Sequence, residues 1–367
     1  MQPLYELIRR RPLVFAAGVI TVSLAITGTW WALSRRPPPN PALVSPILAV
    51  QAVSARSLYF NAAARPWLMA HRPELLTPDD RDGSSSRTRE FLQAVQNPKL
   101  FRQIDRRYRF DTLLLVGDPS QFKPLLEHLL DTKDWTLTYL DHTSLIFKRD
   151  AASAWQPTRL TETRQHFSSG REQASFLAHA AMKLLAIRRS AEARAALDEA
   201  AKLDTGLPEV WNGLANYHML RGEWGPALDH VNRALAADKA FVPALASKAQ
   251  ILYSTKKFGE AFELSKRLIG ERPDDPALLF YHAKIAHEAR AFRAEIETLE
   301  RLILLAEATG WPASGYRIYL AQAFATVGEA QPAIDEFRRV LADPEISKEQ
   351  RAFAAETLAQ IRGRSGL

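Results

Sequence analysis

An uninterrupted apolar run near the N-terminus is the first hydrophobic pattern along the chain. Residues 13–33, 21 positions in all, contain no charged side chain. As a helix the run would span about 31 Å, close to the hydrocarbon thickness of a bilayer. Arginines flank both ends and two tryptophans stand at the second end, as at membrane interfaces: Arg9, Arg10, Arg11, Trp30, Trp31, Arg35 and Arg36. The pattern predicts one transmembrane helix over residues 13–33, after a short tail of residues 1–12.

A cleaved signal peptide is the competing interpretation of this run. It would have a shorter apolar region, followed by small residues at the cleavage site. Bulky Trp30 and Trp31 and the pair Arg35-Arg36 occupy that place, which favours an uncleaved anchor. Arginines precede and follow the run, so the positive-inside rule separates the two orientations only slightly. We expect a single-pass protein whose bulk is extracytoplasmic, and periplasmic in a two-membrane bacterium.

A proline-rich stalk over residues 34–46 leads to shorter hydrophobic segments. The apolar run Arg109–Val116 predicts a buried strand, and leucines at helical spacing predict a helix over Ser120–Leu130. Trp135–Leu140 and Ser144–Lys148 then predict a strand hairpin. Strand, helix and hairpin in this order indicate a small α/β domain, which we place at residues 47–150, with a linker over 151–173.

Residues 109–149 resemble a soluble α/β module of bacterial membrane proteins, often associated with glycosyltransferase-like regions. The shared features are the strand ending in LLLV, a helix, and the pattern W-x-L-x-Y-x-D before a short strand. The resemblance implies no activity. Polar residues that could serve a catalytic site are not at a spacing that brings them together, so we predict turns and solvated faces for them: Asp111, Asp118, His128, Asp131, Asp134, Asp141 and His142.

Small residues recur every 34 positions from Ala174 onward. With repeats beginning at Ala174, Pro208, Val242 and Pro276, the eighth position is always alanine. The twentieth position is alanine three times and then Glu295. A fifth unit begins at Ser314, 38 residues after the fourth, and we expect Gly310-Trp311-Pro312 to form a longer turn there. The period predicts stacked pairs of helices over residues 174–346, closed by a capping helix within 347–367.

The unit Pro208–Ala237 resembles the tetratricopeptide repeat (TPR), and the residues that carry the resemblance are Trp211, Leu214, Ala215, Gly222, Ala227 and Ala234. The resemblance implies a mainly α protein containing a right-handed α-solenoid of about five helix pairs. It also implies a concave groove that binds partner protein segments, lined by the first helix of each pair. The groove residues that it implies are Asn212, Asn216, Met219, Gln250, Tyr253, Phe280, Lys284, His287 and Gln322.

The net charge of +7 does not by itself indicate a nucleic-acid-binding protein. Residues 168–367 contain 26 Lys+Arg and 26 Asp+Glu, which leaves 48 − 26 = 22 basic and 41 − 26 = 15 acidic residues before them. Five of those 22 flank the apolar run, and no basic stripe on a folded face is evident. We therefore expect no nucleic-acid partner.

Motifs for catalysis or for a cofactor are absent from the sequence, as is cysteine. His282 and His287 are five residues apart on a predicted helix and point to different faces, so we expect no metal site there. The leading hypothesis is a non-enzymatic, membrane-anchored scaffold that assembles partner proteins of a membrane or envelope complex. One alternative is an accessory subunit of a glycan- or envelope-related membrane enzyme. Another is a ligand or catalytic site in the α/β domain.

Overall fold

The computed structural model describes residues 46–365, except for residues 84, 310, 311 and 345. The chain divides into two compact units, the first ending at Phe176 and the second beginning at Leu177. The predicted transmembrane segment, its flanking arginines and tryptophans, and stalk residues 34–45 lie outside the described residues. Within the described ranges, none of the helices combines the length and the apolar character that a membrane span requires.

A four-stranded sheet organises the first unit. Its strands are β1 (Leu58–Phe60), β2 (Thr112–Val116), β3 (Thr136–Leu140) and β4 (Ser144–Lys148). The spatial order is β1-β2-β4-β3, with β1 parallel to β2 and the other neighbours antiparallel. Strand β2 is buried along its whole length, which explains why it reads as an unbroken apolar run. Strand β3 lies at an edge of the sheet and is half-buried, and its sequence alternates polar and apolar residues.

In the described part of the first unit, seven α-helices accompany this sheet. They are α1 (Ile47–Ala52), α2 (Arg65–His71), α3 (Pro78–Arg81), α4 (Ser86–Ala94), α5 (Pro98–Tyr108), α6 (Lys123–Asp131) and α7 (Thr158–Arg164). The three strands and the helix predicted between residues 109 and 148 are present. Strand β1 and the helices before β2 were not predicted, because each is short and most of the helices are interrupted by prolines and charges.

Packed aromatic rings hold helices α4 and α5 against the sheet. The Tyr59 ring centroid on β1 lies 4.9 Å from that of Phe91, 5.2 Å from that of Phe101 and 5.5 Å from that of Phe110. The Tyr59 hydroxyl donates a 2.9 Å hydrogen bond to the backbone carbonyl of Phe91. Burial raises the pKa of this phenol, so it stays a neutral donor.

Helix pairs make up the second unit, with a final helix at the end. Helix α8 (Gly170–Ala186) crosses the boundary between the units and opens the series. The others are α9 (Ser190–Leu203), α10 (Pro208–Leu220), α11 (Trp224–Ala237), α12 (Val242–Ser254), α13 (Phe258–Glu271), α14 (Pro276–Glu288), α15 (Phe292–Thr309), α16 (Ser314–Thr326), α17 (Ala330–Ala342) and α18 (Lys348–Ser365). From α9 to α18 each helix packs on the next one in sequence. This arrangement fits the predicted α-solenoid of five pairs with a closing helix.

The turn inside each pair repeats with the same period as the sequence. A residue with positive φ ends the first helix of every pair, and these residues are Arg188, Gly222, Lys256, Arg290 and Gly328. The first four are 34 residues apart and the last follows after 38. After Lys256, the backbone amide of Lys257 donates a 2.8 Å hydrogen bond to the carbonyl of Leu252. This is the Schellman motif that commonly ends helices.

Small residues let the two helices of a pair approach closely. Ala215 and Ala227, at the eighth and twentieth positions of the second repeat, are both fully buried in one apolar cluster. Ala249 and Ala261 are the corresponding pair of the third repeat. Neighbouring repeats also approach closely, because a Cβ added to Gly213 would lie 2.4 Å from Leu197 Cδ2.

The four additional residues before the fifth repeat extend a helix instead of a turn. Helix α15 has 18 residues, whereas α11 and α13 have 14 each. Two residues of the expected longer turn, Gly310 and Trp311, lie outside the described residues, and four residues separate α15 from α16 as four separate α13 from α14. In the added helical turn, Glu307 pairs with Arg317 of α16, which also contacts Glu336 of α17 at 2.6 Å. The buried Glu336 carboxylate explains why Arg317 is needed there.

We predict that Lys256→Gly stabilises the second unit by about 0.5–1 kcal/mol, because glycine adopts positive φ without the steric cost that a side chain brings. Urea or thermal unfolding measures the change. The reverse exchange, Gly222→Lys, is the matched control. No atom lies within 4 Å of a Cβ placed at Gly222, so its expected loss of stability comes from the backbone alone. Equal stability of both variants and the wild type would contradict the assignment of these turns.

Candidate functional site

The acidic residues and histidines of the first unit have separate structural roles. Buried Asp141 accepts hydrogen bonds from the amides of Thr143 and Ser144 at 2.7 and 2.8 Å, and from the Tyr139 hydroxyl at 2.8 Å. This carboxylate therefore closes the turn between β3 and β4. Asp118 accepts from the amide of Ser120 at 2.7 Å and caps a short 3-10 turn.

Of the remaining candidates, Asp111 and His142 have separate contacts, whereas Asp131 and Asp134 lie near His128. Asp111 accepts hydrogen bonds from the Arg56 amide at 2.9 Å and from the Thr112 hydroxyl at 2.8 Å. The buried His142 ring packs against Phe167 and Phe176, with centroids 5.6 and 5.1 Å away. Burial lowers the pKa of His128, and the charges of Asp131 and Asp134 act in the opposite direction. In the described part of the chain, no three His, Asp or Glu side chains are placed to hold a metal ion.

The first helices of the five pairs, called A helices below, are α8, α10, α12, α14 and α16. Their ninth positions form a row, and we call it the position-nine row: Met182, Asn216, Gln250, Lys284 and Gln322. Asn216 Nδ2 lies 3.9 Å from Met182 Sδ, which shows that successive members of the row can be in contact. Gln250 and Lys284 are exposed, and Asn216 and Gln322 are half-buried. Four of the predicted groove residues therefore present polar groups along one face.

Two residues predicted for the groove are instead part of the packing. Asn212 is 7% exposed and accepts a 2.8 Å hydrogen bond from the Ser247 hydroxyl of the next A helix. Its amide thus joins two repeats. Met219 is 8% exposed and lies in the cluster that contains Ala215 and Ala227. Partner binding by these two residues stays a prediction, because the repeat position does not reveal how closely the packing encloses their side chains.

Large aromatic rings replace the Asn212–Ser247 pair between the last two A helices. Phe280 of α14 packs against Tyr316 and Tyr319 of α16, with ring centroids 5.5 and 5.2 Å apart. Two large rings do not fit in the space that an amide and a hydroxyl fill, and Tyr319 is 42% exposed. Phe280 is half-buried and supports this exposed tyrosine. Tyr319 was not predicted as a groove residue. It stands at the sixth position of its repeat, as Ser247 does.

A second aromatic group includes Tyr253, which was predicted to bind a partner. Its ring lies 5.6 Å from Phe258 and 6.1 Å from Tyr281. Partial burial, followed by the nearby Glu288 carboxylate, raises the pKa of Tyr253. Tyr253 is half-buried, so one part of the ring supports the packing and another part is open to solvent.

His287 is partly exposed, but its ring is hydrogen-bonded to a buried carboxylate. Its Nδ1 lies 3.1 Å from both carboxylate oxygens of Glu295 on α15. Glu295 is only 4% exposed and stands at the twentieth position, where the other repeats have a small residue. Burial raises the pKa of Glu295, and the hydrogen bond from His287 opposes that rise. The pair explains how the fourth repeat accommodates a carboxylate between its helices.

Leu220 was not predicted but is the most exposed large apolar side chain in the described part of the chain. It is 67% exposed and follows Met219 at the C-terminal end of α10. We define the A-helix face by its accessible members: Leu220, Gln250, Tyr253, Lys284, Tyr319 and Gln322. The face contains neutral amides, apolar and phenolic groups, and the single cation of Lys284, for which the described contacts include no ion pair.

His282 and His287 are in different environments, as the sequence predicted. The buried His282 ring donates through Nδ1 to the Ser265 hydroxyl at 2.7 Å, since that hydroxyl itself donates to the Phe262 carbonyl. Phe262 stacks on the ring with centroids 5.2 Å apart. Burial, with a smaller effect of Lys266, lowers the pKa of His282 to about 4.

The similarity of this chain to known proteins is confined to solved structures. No protein-family model matches the chain, and no curated protein matches it. Among solved structures, MamA from Desulfovibrio magneticus RS-1 is 16% identical, with 46% of this chain and 93% of that chain covered and a TM-score of 0.41. YrrB, described as a TPR protein with an unusual peptide-binding site, is 13% identical, with 56% of this chain and 100% of YrrB covered and a TM-score of 0.43. PilF from Pseudomonas aeruginosa is 15% identical, with 56% of this chain and 91% of PilF covered and a TM-score of 0.42. At these values the similarities carry no argument about function.

We predict that His282 makes the second unit sensitive to acid. Its folded pKa of about 4 is below the ordinary value near 6.5, so the unfolded chain binds the proton more readily. The stability that neutral His282 contributes is fully present above about pH 6.5. It falls as the pH drops towards 4, by on the order of 2–3 kcal/mol. His282→Asn keeps a hydrogen-bonding side chain without this titration. Urea unfolding at pH 7.5 and 4.5 should show a smaller pH dependence for the variant, and an equal dependence would contradict the prediction.

Proposed function

We propose that this chain is a protein-interaction scaffold whose A-helix face binds an extended segment of a partner protein. The observation that carries the proposal is the presence of accessible apolar and amide groups on equivalent helices of a repeating array. Leu220 and Tyr319 are exposed large side chains on A helices, and Gln250 is an exposed amide between them in sequence. A face of this composition suits a peptide better than it suits a small charged substrate.

The side chains of the face match the chemistry of an extended backbone. A peptide in this conformation has free N–H and C=O groups, and the amides of Gln250 and Gln322 can both donate and accept hydrogen bonds. Tyr319 and Tyr253 offer aromatic surface together with a hydroxyl, a combination enriched at protein interfaces. Lys284 adds one cation, so a segment with one acidic residue fits better than a strongly charged one.

Membrane anchoring completes the proposal and rests on the sequence of residues 13–33 with its flanking arginines. An anchored scaffold would recruit partners at the membrane, in keeping with a role in assembling a membrane or envelope complex. The accessory-subunit alternative rests on the resemblance of residues 109–149. It predicts one stoichiometric, multi-spanning partner after purification in detergent, whereas the scaffold predicts several partners with a shared peptide motif.

The binding face can be tested with a displayed library of random peptides of about 12 residues, selected on the chain without residues 1–36. We predict that Tyr319→Ala and Leu220→Ala each weaken the selected peptides by about tenfold or more, because exposed large side chains are the anchors of such interfaces.

Leu304→Ala is the matched control for that selection. Leu304 is 66% exposed but lies on α15, the second helix of its pair. Its removal should leave peptide affinity unchanged, and circular dichroism should show equal helix content in all variants. Peptides that lose affinity equally with the Leu304 variant, or with none of the three, would refute the assignment of the face.

The anchor has its own test. Because residues 13–33 are long enough to span a bilayer, we predict that the full-length chain stays in the membrane fraction through carbonate and high-salt washes. Deletion of residues 1–36 should release it. Recovery of a protein trimmed near Ser34 would instead indicate a cleaved signal peptide.

A further inference from the structure

Helix α5 of the first unit has a stripe of basic residues on its outer side. Lys99, Arg102 and Arg106 follow each other at spacings of three and four residues, which places them on one helix face, and Arg109 stands directly after the helix. All four side chains are exposed. The opposite face of α5 contains the buried Phe101 and Ile104. The stripe therefore points away from the core, and we call it the α5 stripe.

This stripe was not predicted from the sequence, because the helix itself was not predicted. Its three internal cations read as scattered charges until Pro98–Tyr108 forms a helix. Asn97 begins that helix by accepting hydrogen bonds from the amides of Lys99 and Leu100 at 3.1 and 3.2 Å. Arg109 ends it with positive φ. The expectation that no folded face has a basic stripe is thereby corrected.

Two of the nearby acidic side chains are neutralised by other arginines. Asp105 of the same helix binds Arg149 through both carboxylate oxygens, at 2.8 and 3.0 Å. Glu90 of α4 binds Arg107 at 3.0 Å. Among the described contacts, the four cations of the α5 stripe form no ion pair. Further acidic residues near Arg102 are Asp131 and Asp134, which share the surroundings of His128 with it.

We propose that the α5 stripe docks the first unit on an anionic lipid surface. The proposal rests on the anchor of the proposed function. Residues 34–46 connect the predicted membrane span to α1, and a proline-rich linker of 13 residues at about 3.1 Å per residue would reach about 40 Å. This tether keeps the stripe close to lipid headgroups. Guanidinium groups bind phosphate oxygens in pairs, and each Lys or Arg near an anionic surface raises the partition constant about fivefold.

The absence of cysteine makes a single spectroscopic label possible on the full-length chain. Gln103 is exposed and adjoins the stripe, so Gln103→Cys can carry a nitroxide. The labelled chain is inserted into nanodiscs of phosphatidylcholine alone, or with about 30% phosphatidylglycerol. Electron paramagnetic resonance then measures collisions of the label with a water-soluble nickel complex.

We expect nickel collisions to fall about threefold in the anionic nanodiscs and to stay unchanged in the neutral ones, since docking covers the label. Lys99→Gln, Arg102→Gln and Arg106→Gln together should abolish the difference, and about 0.5 M salt should do the same. The matched control removes three exposed cations of the same unit that lie outside the stripe, by Arg89→Gln, Lys123→Gln and Lys133→Gln. It should preserve the difference.

Equal collision rates in the two lipids, or an effect that the stripe variant retains, would overturn the docking proposal while leaving the anchor intact. A chain that does not enter nanodiscs overturns the anchor and the docking together. A loss of the difference in the control variant as well would reduce the effect to overall charge and refute a specific surface. If duplex DNA binds through the same three residues and anionic lipid does not, the stripe is a nucleic-acid surface and the proposal fails.

Discussion

Close approach of the two helices within each repeat is the constraint on which the second unit depends. Residues at the eighth and twentieth positions fill the contact, where alanine lets the two helices approach closely. Ala215 with Ala227 and Ala249 with Ala261 satisfy the constraint directly. The fourth repeat satisfies it differently: Glu295 enters the contact, and His287 supplies a hydrogen-bond donor for the buried carboxylate. A residue that the repeat pattern assigns to partner binding is thereby needed for packing.

The same approach decides which side chains remain available on the A-helix face. Adjacent A helices meet through the fifth position of one and the sixth of the next. A small polar pair, Asn212 and Ser247, closes this contact and is buried. An aromatic pair, Phe280 and Tyr319, fills it and leaves the tyrosine partly exposed. Recognition surface and structural contact are thus alternative uses of the same repeat positions, set by side-chain volume.

The first unit follows a different logic, since its sheet buries β2 on both faces and needs helices to cover it. Helix α5 meets this need with Phe101 and Ile104, and the face that remains contains only polar residues and cations. Asp105 and Glu90 bind arginines other than those of the α5 stripe. The stripe therefore keeps its charge, and its field extends about 10 Å into solvent at ordinary salt.

The sequence alone determined the 34-residue period, the five helix pairs and the strands after residue 109, because small residues, turns and apolar runs are local signals. It also located the four-residue insertion before Ser314, but not its form. Only the tertiary structure decided that the insertion lengthens α15 so that Glu307 meets Arg317. Likewise, only the tertiary structure shows that Asn212 and Met219 are buried and that Leu220 and Tyr319 are exposed. Exposure depends on the volume between neighbouring helices, and that volume is set jointly by residues far apart in the sequence.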